Sequence, residues 1–222
     1  MHLERTDGDS HLRSRGASAG AFTLIELLLV LTIMVILMTL IAPTLNNVLR
    51  GSALTRGSDQ VIGVLNAARQ NAMTRNVPVE VRFYSYDDPE MPGVDSYCQG
   101  LQAFAMTPTN NSEIFAPITK VVQLPPGIVI TTNPSLTSIV ANSTNRGTNR
   151  IPRVGTNYTF SSFQYNRNGM TDLLYRPAGM ITNWNITIIN RVNDTGGGLP
   201  TNFTTITIDP YNGQSRIFRP TL

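Results

Sequence analysis

The chain has 222 residues, enough for one ordinary domain plus a tail or anchor. A hydrophobic content of 41% supports a real core and argues against long-range disorder, while the single cysteine, Cys98, excludes an intrachain disulfide framework and a cysteine-based zinc site. The net charge of +3 is unevenly spread: residues 76–120 carry Arg82 and Lys120 against six carboxylates, whereas residues 141–222 carry eight arginines against Asp172, Asp194 and Asp209.

The first 21 residues are polar, with Arg13 and Arg15 close to the apolar run that follows. From Phe22 to Ala42 the chain reads FTLIELLLVLTIMVILMTLIA, with Glu26 as its one charge and no Gly or Pro. As a helix this run reaches roughly 32 Å, enough to cross a bilayer core. The basic residues ahead of it predict a cytoplasmic N-terminus and an exported C-terminal part. Small residues precede the apolar run instead of following it, unlike an ordinary signal peptide. Pro43 lacks the N–H that the helical ladder needs and predicts a kink. Over 43–75, Leu54, Val61, Val64, Leu65, Ala68 and Ala72 recur at three- and four-residue steps, so an amphipathic helix continues. Gly51, Gly57 and Gly63 weaken that pattern.

Pro78 ends the helical pattern. Strands are expected over Val77–Tyr84, Gln99–Met106, Lys120–Leu124 and Ile128–Thr131, with Pro125-Pro126-Gly127 as a turn. Residues 86–100 read as a polar, acidic loop. The Ser-, Thr- and Asn-rich stretch Asn133–Thr156 reads as an exposed excursion. Four further strands are expected at Tyr158–Tyr165, Trp184–Asn190, Phe203–Asp209 and Gln214–Phe218. Asp209–Gly213 carries a hairpin-turn signal. One helix followed only by strands predicts an α+β fold, a long N-terminal helix packed on an antiparallel β-sheet domain.

The segment Gly20-Ala21-Phe22-Thr23-Leu24-Ile25-Glu26-Leu27 resembles the prepilin-type cleavage and methylation motif of type IV pilins and type II secretion pseudopilins. The resemblance implies a pilin-like fold with a leader at 1–21, a transmembrane helix at 22–42, its amphipathic continuation at 43–75 and an exported β-rich domain at 76–222. It implies cleavage by a prepilin peptidase between Ala21 and Phe22 and N-methylation of Phe22. Glu26 becomes the fifth mature residue, as in the family, and Pro43 matches the family's helix proline. Ala21 departs from the family's usual Gly before the cut, and slower processing is expected. The partners implied are the peptidase, other pilin or pseudopilin subunits, the inner-membrane assembly platform and the membrane. The β-rich part looks like the minor pseudopilin H and fimbrial T type. More narrowly, 59–70, Val79–Tyr84 and Pro125–Ile130 resemble the Verru_Chthon cassette protein D family.

A carboxylate in an apolar surrounding needs a cation, and cleavage creates one at Phe22. Glu26 of one subunit meeting the new amine of a neighbour would remove an unpaired charge and set the axial register between subunits.

Enzyme chemistry finds little material. His2 and His11 both lie in the leader, so a processed chain has no histidine for nucleophilic catalysis or metal ligation. No catalytic residues, no metal and no cofactor are expected. Cys98 reads as an incidental thiol, and Asp87, Asp88, Glu90 and Asp95 lack EF-hand spacing. The alternative to a filament subunit is a membrane-displayed module that binds DNA or another anionic ligand through the basic C-terminal region. Arg216 and Arg219 would hold phosphate and Phe218 would stack on a base. The alternating Arg-Ile-Phe-Arg run equally describes an ordinary edge strand.

Overall fold

In the computed structural model the described residues are 22–87, 97–108, 113–140, 145–147, 150–152, 154–175, 184–194 and 198–220. The side chains of 40–47, 108, 113, 145, 174 and 175 are outside that description. The chain divides into two compact units, Met1–Leu45 and Asn46–Leu222.

The helix α1, Leu24–Arg75, begins in the first unit and ends in the second. In the first unit its apolar side chains lie open. Leu24, Ile25, Leu27, Leu28, Leu29, Val30, Leu31 and every large apolar residue from Ile33 to Met38 are exposed. Among the described residues no helix is long and apolar enough to cross a membrane, which overturns the transmembrane helix expected at 22–42. The stretch 24–39 belongs to no buried core cluster. The expected kink at Pro43 falls within 40–47, outside the described side chains.

In the second unit α1 carries the stripe read from the sequence. Leu54, Val61, Val64, Leu65, Ala68 and Ala72 are all buried. Ser58 lies in the same stripe, and its hydroxyl donates back to the Leu54 carbonyl at 2.8 Å, so burial leaves it satisfied. The helix stops at Arg75 because Asn76 takes a left-handed conformation, φ 53°, and Pro78 cannot resume the ladder.

The strands build two sheets, where one was expected. The first has the order β3-β2-β1-β7-β6: Glu113–Pro117, Gly100–Pro108, Val79–Tyr86, Tyr158–Tyr165 and Asn145–Arg146. Val122–Gln123, β4, also pairs with β2. The second has the order β10-β9-β8-β5: Ser215–Phe218, Phe203–Ile208, Trp184–Asn190 and Ile128–Ile130. All pairings are antiparallel. Cys98 and Ile130 exchange two backbone hydrogen bonds, at 3.1 and 2.9 Å, and so stitch the sheets together.

One cluster contains the α1 stripe, Val79, Val81, Phe83 and Phe163 of the first sheet, and Ile128, Ile186, Ile188, Ile206 and Ile208 of the second. The helix therefore fills the space that both sheets face. A second, smaller cluster of Tyr84, Tyr86, Val154 and Tyr158 covers the opposite face of the first sheet. On that face the Arg82 guanidinium lies over the rings of Phe104, Phe115 and Phe160, at 4.5, 4.6 and 4.8 Å from their centroids. Its Nη2 meets Glu80 Oε2 at 2.7 Å. Both faces of this sheet are thus covered, which the alternation in the sequence did not reveal.

The Asn133–Thr156 stretch departs from the expected excursion. Thr137, Ile139, Val140 and Val154 are buried. Asn185 of β8 explains how a polar segment can lie inside. Its Oδ1 accepts the Ser138 N–H at 3.1 Å and the Ser138 hydroxyl at 2.7 Å, and its amide donates to the Leu136 carbonyl at 3.1 Å. The hydroxyls and amides satisfy the backbone while carrying two branched apolar residues into the core.

The three helical glycines separate by their surroundings. A Cβ on Gly57 would stand 2.9 Å from Ile128 Cγ2, whereas one on Gly51 or Gly63 meets nothing within 4 Å. Alanine gains about 1 kcal/mol of helix propensity at each. At Gly57 it also forces overpacking that costs about 1–3 kcal/mol. Thermal denaturation should place Gly51→Ala and Gly63→Ala above the parent and Gly57→Ala below it. A Gly57→Ala protein melting with the other two would show that β5 does not press on α1.

Candidate functional site

The site read from the leader junction is described from Phe22 onward. Gly20 and Ala21 lie outside the described residues. Phe22 and Thr23 precede the helix, and Phe22 is 82% exposed. Thr23 caps α1. Its backbone N–H and its hydroxyl each donate to Glu26 Oε2 at 2.9 Å, and the Glu26 N–H donates back to Thr23 Oγ1 at 3.3 Å. This is a reciprocal capping box, and it places a carboxylate where the helix dipole favours negative charge. The spacing Thr-x-x-Glu ahead of an apolar run signals it, in addition to the expected pairing of Glu26 with the amine of a neighbouring subunit. Oε1 takes no hydrogen bond from any described residue.

Beyond this box the helix surface stays apolar through Thr39. The two threonines within it turn their hydroxyls onto their own helix: Thr32 donates to the Leu28 carbonyl at 2.5 Å and Thr39 to the Ile36 carbonyl at 2.7 Å. No polar group on this stretch calls for a polar partner.

The second proposed pair, Arg216 within β10 and Arg219 just after it, is split. Arg219 lies on the face toward α1. Its Nη1 donates to Thr55 Oγ1 at 3.2 Å and its Nη2 stands 3.5 Å from Asp59 Oδ1. Arg216, three residues earlier, is paired with Thr207 of β9 and is exposed. It makes no ion pair among the described residues. Phe218 leans on Phe203, with ring centroids 6.5 Å apart. The two arginines thus do not converge on one anion. Arg191 belongs to a short 3-10 turn after β8, and Arg176 lies outside the described residues.

Cys98 is fully buried and its thiol is pushed up to about 12 from an ordinary 9.0 by burial. A thiol held neutral in this way is a poor nucleophile. Among the described residues no group of three or more His, Cys, Asp or Glu side chains gathers to hold a metal. Of the acidic-loop carboxylates, Asp88, Glu90 and Asp95 lie outside the described residues. Comparison with family models, with curated proteins and with solved structures finds no match.

Two measurements check this geometry. Removing Arg219 should cost under about 1 kcal/mol, because its ion pair is solvent-exposed, and that cost should fade in high salt, while Arg216→Ala leaves stability unchanged. Equal losses in both variants would contradict the split. For Cys98, a thiol-specific reagent at mild alkaline pH should react only as fast as the chain unfolds. The thiol's folded pKa is raised, so its contribution is fully present below pH 9.0 and is lost as pH rises toward about 12. Rapid labelling of the folded chain would refute its burial.

Proposed function

We propose that this chain is a prepilin-like subunit, cut by a prepilin peptidase between Ala21 and Phe22 and assembled into a pilus or pseudopilus-type filament. The observation that carries the reading is the exposed apolar surface of α1 from Leu24 to Met38, directly after a junction that resembles the prepilin motif. A helix apolar on every side is ordinarily buried. Left open to water, each large side chain forfeits about 1.5–3 kcal/mol relative to burial. The same segment of neighbouring copies is a cover of matching chemistry and length.

Glu26 gives this bundle its register. Thr23 holds one carboxylate oxygen, and the other is left for the amine that cleavage creates at Phe22 of an adjoining subunit. The capping box keeps the carboxylate at the start of the helix, so the height of the charge along the filament is set by the fold of each subunit. The second unit then specifies what the filament touches. The rival reading, DNA capture by Arg216 and Arg219 together, is disfavoured because Arg219 is tied to Thr55 and Asp59 of α1 while Arg216 is exposed without an ion pair among the described residues.

The reading is tested in cells with an active prepilin peptidase. Mass spectrometry of the purified chain should show an N-terminus at Phe22 carrying one methyl group, and an intact leader would overturn the proposal. The Glu26 variants then separate charge from capping. Gln retains the capping box and removes the charge. Glu26→Gln should therefore be cleaved normally yet lose filament incorporation by about tenfold or more, the scale of an unpaired buried charge. Incorporation equal to the parent would remove the role given to Glu26.

A further inference from the structure

The turn between β9 and β10 is held more firmly than a surface turn requires. Asp209 Oδ1 accepts the Tyr211 N–H at 3.0 Å and Oδ2 accepts the Asn212 amide at 2.7 Å. The Gln214 N–H donates to Asn212 Oδ1 at 2.7 Å, and the Gly213 N–H donates to the Asp209 carbonyl at 2.7 Å, with Gly213 at φ 67°. Two other elements clamp it. Arg69 Nε of α1 donates to the Asn212 carbonyl at 2.8 Å, and the Thr171 N–H donates to the Pro210 carbonyl at 3.0 Å. A Cβ on Gly213 would come within 2.0 Å of the Gly169 carbonyl oxygen. This rigid turn nevertheless presents Tyr211 with 70% of its surface exposed.

Beside Tyr211 lies a groove of about 330 Å³, lined also by Trp184, Thr207, Asp209, Gln214 and Arg216. That volume is at the small end of the roughly 300–1,000 Å³ range of small-molecule sites. Arg216 enters it as a cation without an ion-pair partner among the described residues.

We propose that this groove binds an acidic sugar, a pyranose ring bearing one carboxylate, as in uronate-containing polysaccharides. The Arg216 guanidinium takes the carboxylate through two parallel N–H donors. The exposed ring of Tyr211 takes the apolar C–H face of the sugar, and its fixed turn lowers the ordering cost of binding. The Thr207 hydroxyl and the Gln214 amide supply donors and acceptors for ring hydroxyls.

Charge argues for one carboxylate over a nucleic-acid backbone. Binding a phosphate chain draws on several cations in a row. Here the groove is lined by one arginine and the Asp209 carboxylate, and Arg219 is tied to Thr55 and Asp59 of α1. The groove belongs entirely to the second unit, so the inference does not depend on the filament reading.

The test is titration of the full-length chain at low salt with trigalacturonate, with the neutral galactose trimer and with a short DNA duplex. Trigalacturonate should bind saturably, and the neutral trimer about tenfold or more weakly. Arg216→Ala and Tyr211→Ala should each weaken trigalacturonate by about tenfold, the scale of a binding hot spot, and Arg219→Ala should leave it unchanged. Arg216 and Tyr211 are exposed, so melting temperatures should match the parent; Arg216→Lys, which keeps charge but loses the paired donors, should bind at an intermediate level. No saturable uronate binding at millimolar concentration overturns the proposal. So does binding indifferent to Arg216→Ala, or duplex DNA binding more tightly than the uronate. The N-terminal mass is read separately, so failure here and failure of the filament reading are distinguishable.

Discussion

The fold depends on one stripe of side chains on α1, from Leu54 to Ala72, being covered by two sheets at once. A helix packed on a single sheet leaves the second sheet with an apolar face and nothing to bury it. Here the branched side chains of β5, β8 and β9 converge on the same stripe as the aromatic residues of β1 and β7. Other features follow from that sharing. Gly57 is small because β5 approaches there. Arg69 reaches the carbonyl of Asn212 in the last turn, and Asp59 receives Arg219 from just beyond the last strand. The C-terminal hairpin thus takes its position from the helix as well as from β8.

The two units differ in how their apolar surface is treated. Within Asn46–Leu222 much of it is buried in two clusters, and an arginine on the outer face of the first sheet is roofed by three rings. Along 24–39 nothing described in the chain covers it, and its threonines have withdrawn their hydroxyls into the helix. An exposed apolar surface of this kind is unfavourable in water. The capping box at Thr23 and Glu26 marks where that surface starts.

Several elements were legible because their signals are local. Tyr158–Tyr165 and Trp184–Asn190 coincide with the strands read from alternation, and the apolar stripe of the second helical stretch contains the same six residues. Others were hidden because the deciding partner is distant in sequence. The Ser- and Thr-rich run after Asn133 looks solvated on composition, but Asn185, about fifty residues away, turns its polar groups inward. Arg82 looks like the wet side of a strand until Phe104, Phe115 and Phe160 arrive from three other elements. The short β3 and β6 carried too few residues for any period to show. At the candidate sites, the Thr-x-x-Glu spacing was readable and went unread. The separation of Arg216 from Arg219 needed the tertiary structure, because only there do Thr55 and Asp59 of α1 meet Arg219.

By itself the sequence determined where helix and strand are locally favoured and which helix face is apolar. These properties depend on backbone stereochemistry and on neighbours within a few residues. Tertiary structure alone decided that there are two sheets, that the helix serves both, and that one C-terminal arginine ties down the helix while the other faces a groove. Such outcomes rest on contacts between groups far apart along the chain. Their geometry comes into being only when the core closes and the loss of chain entropy is offset by burial.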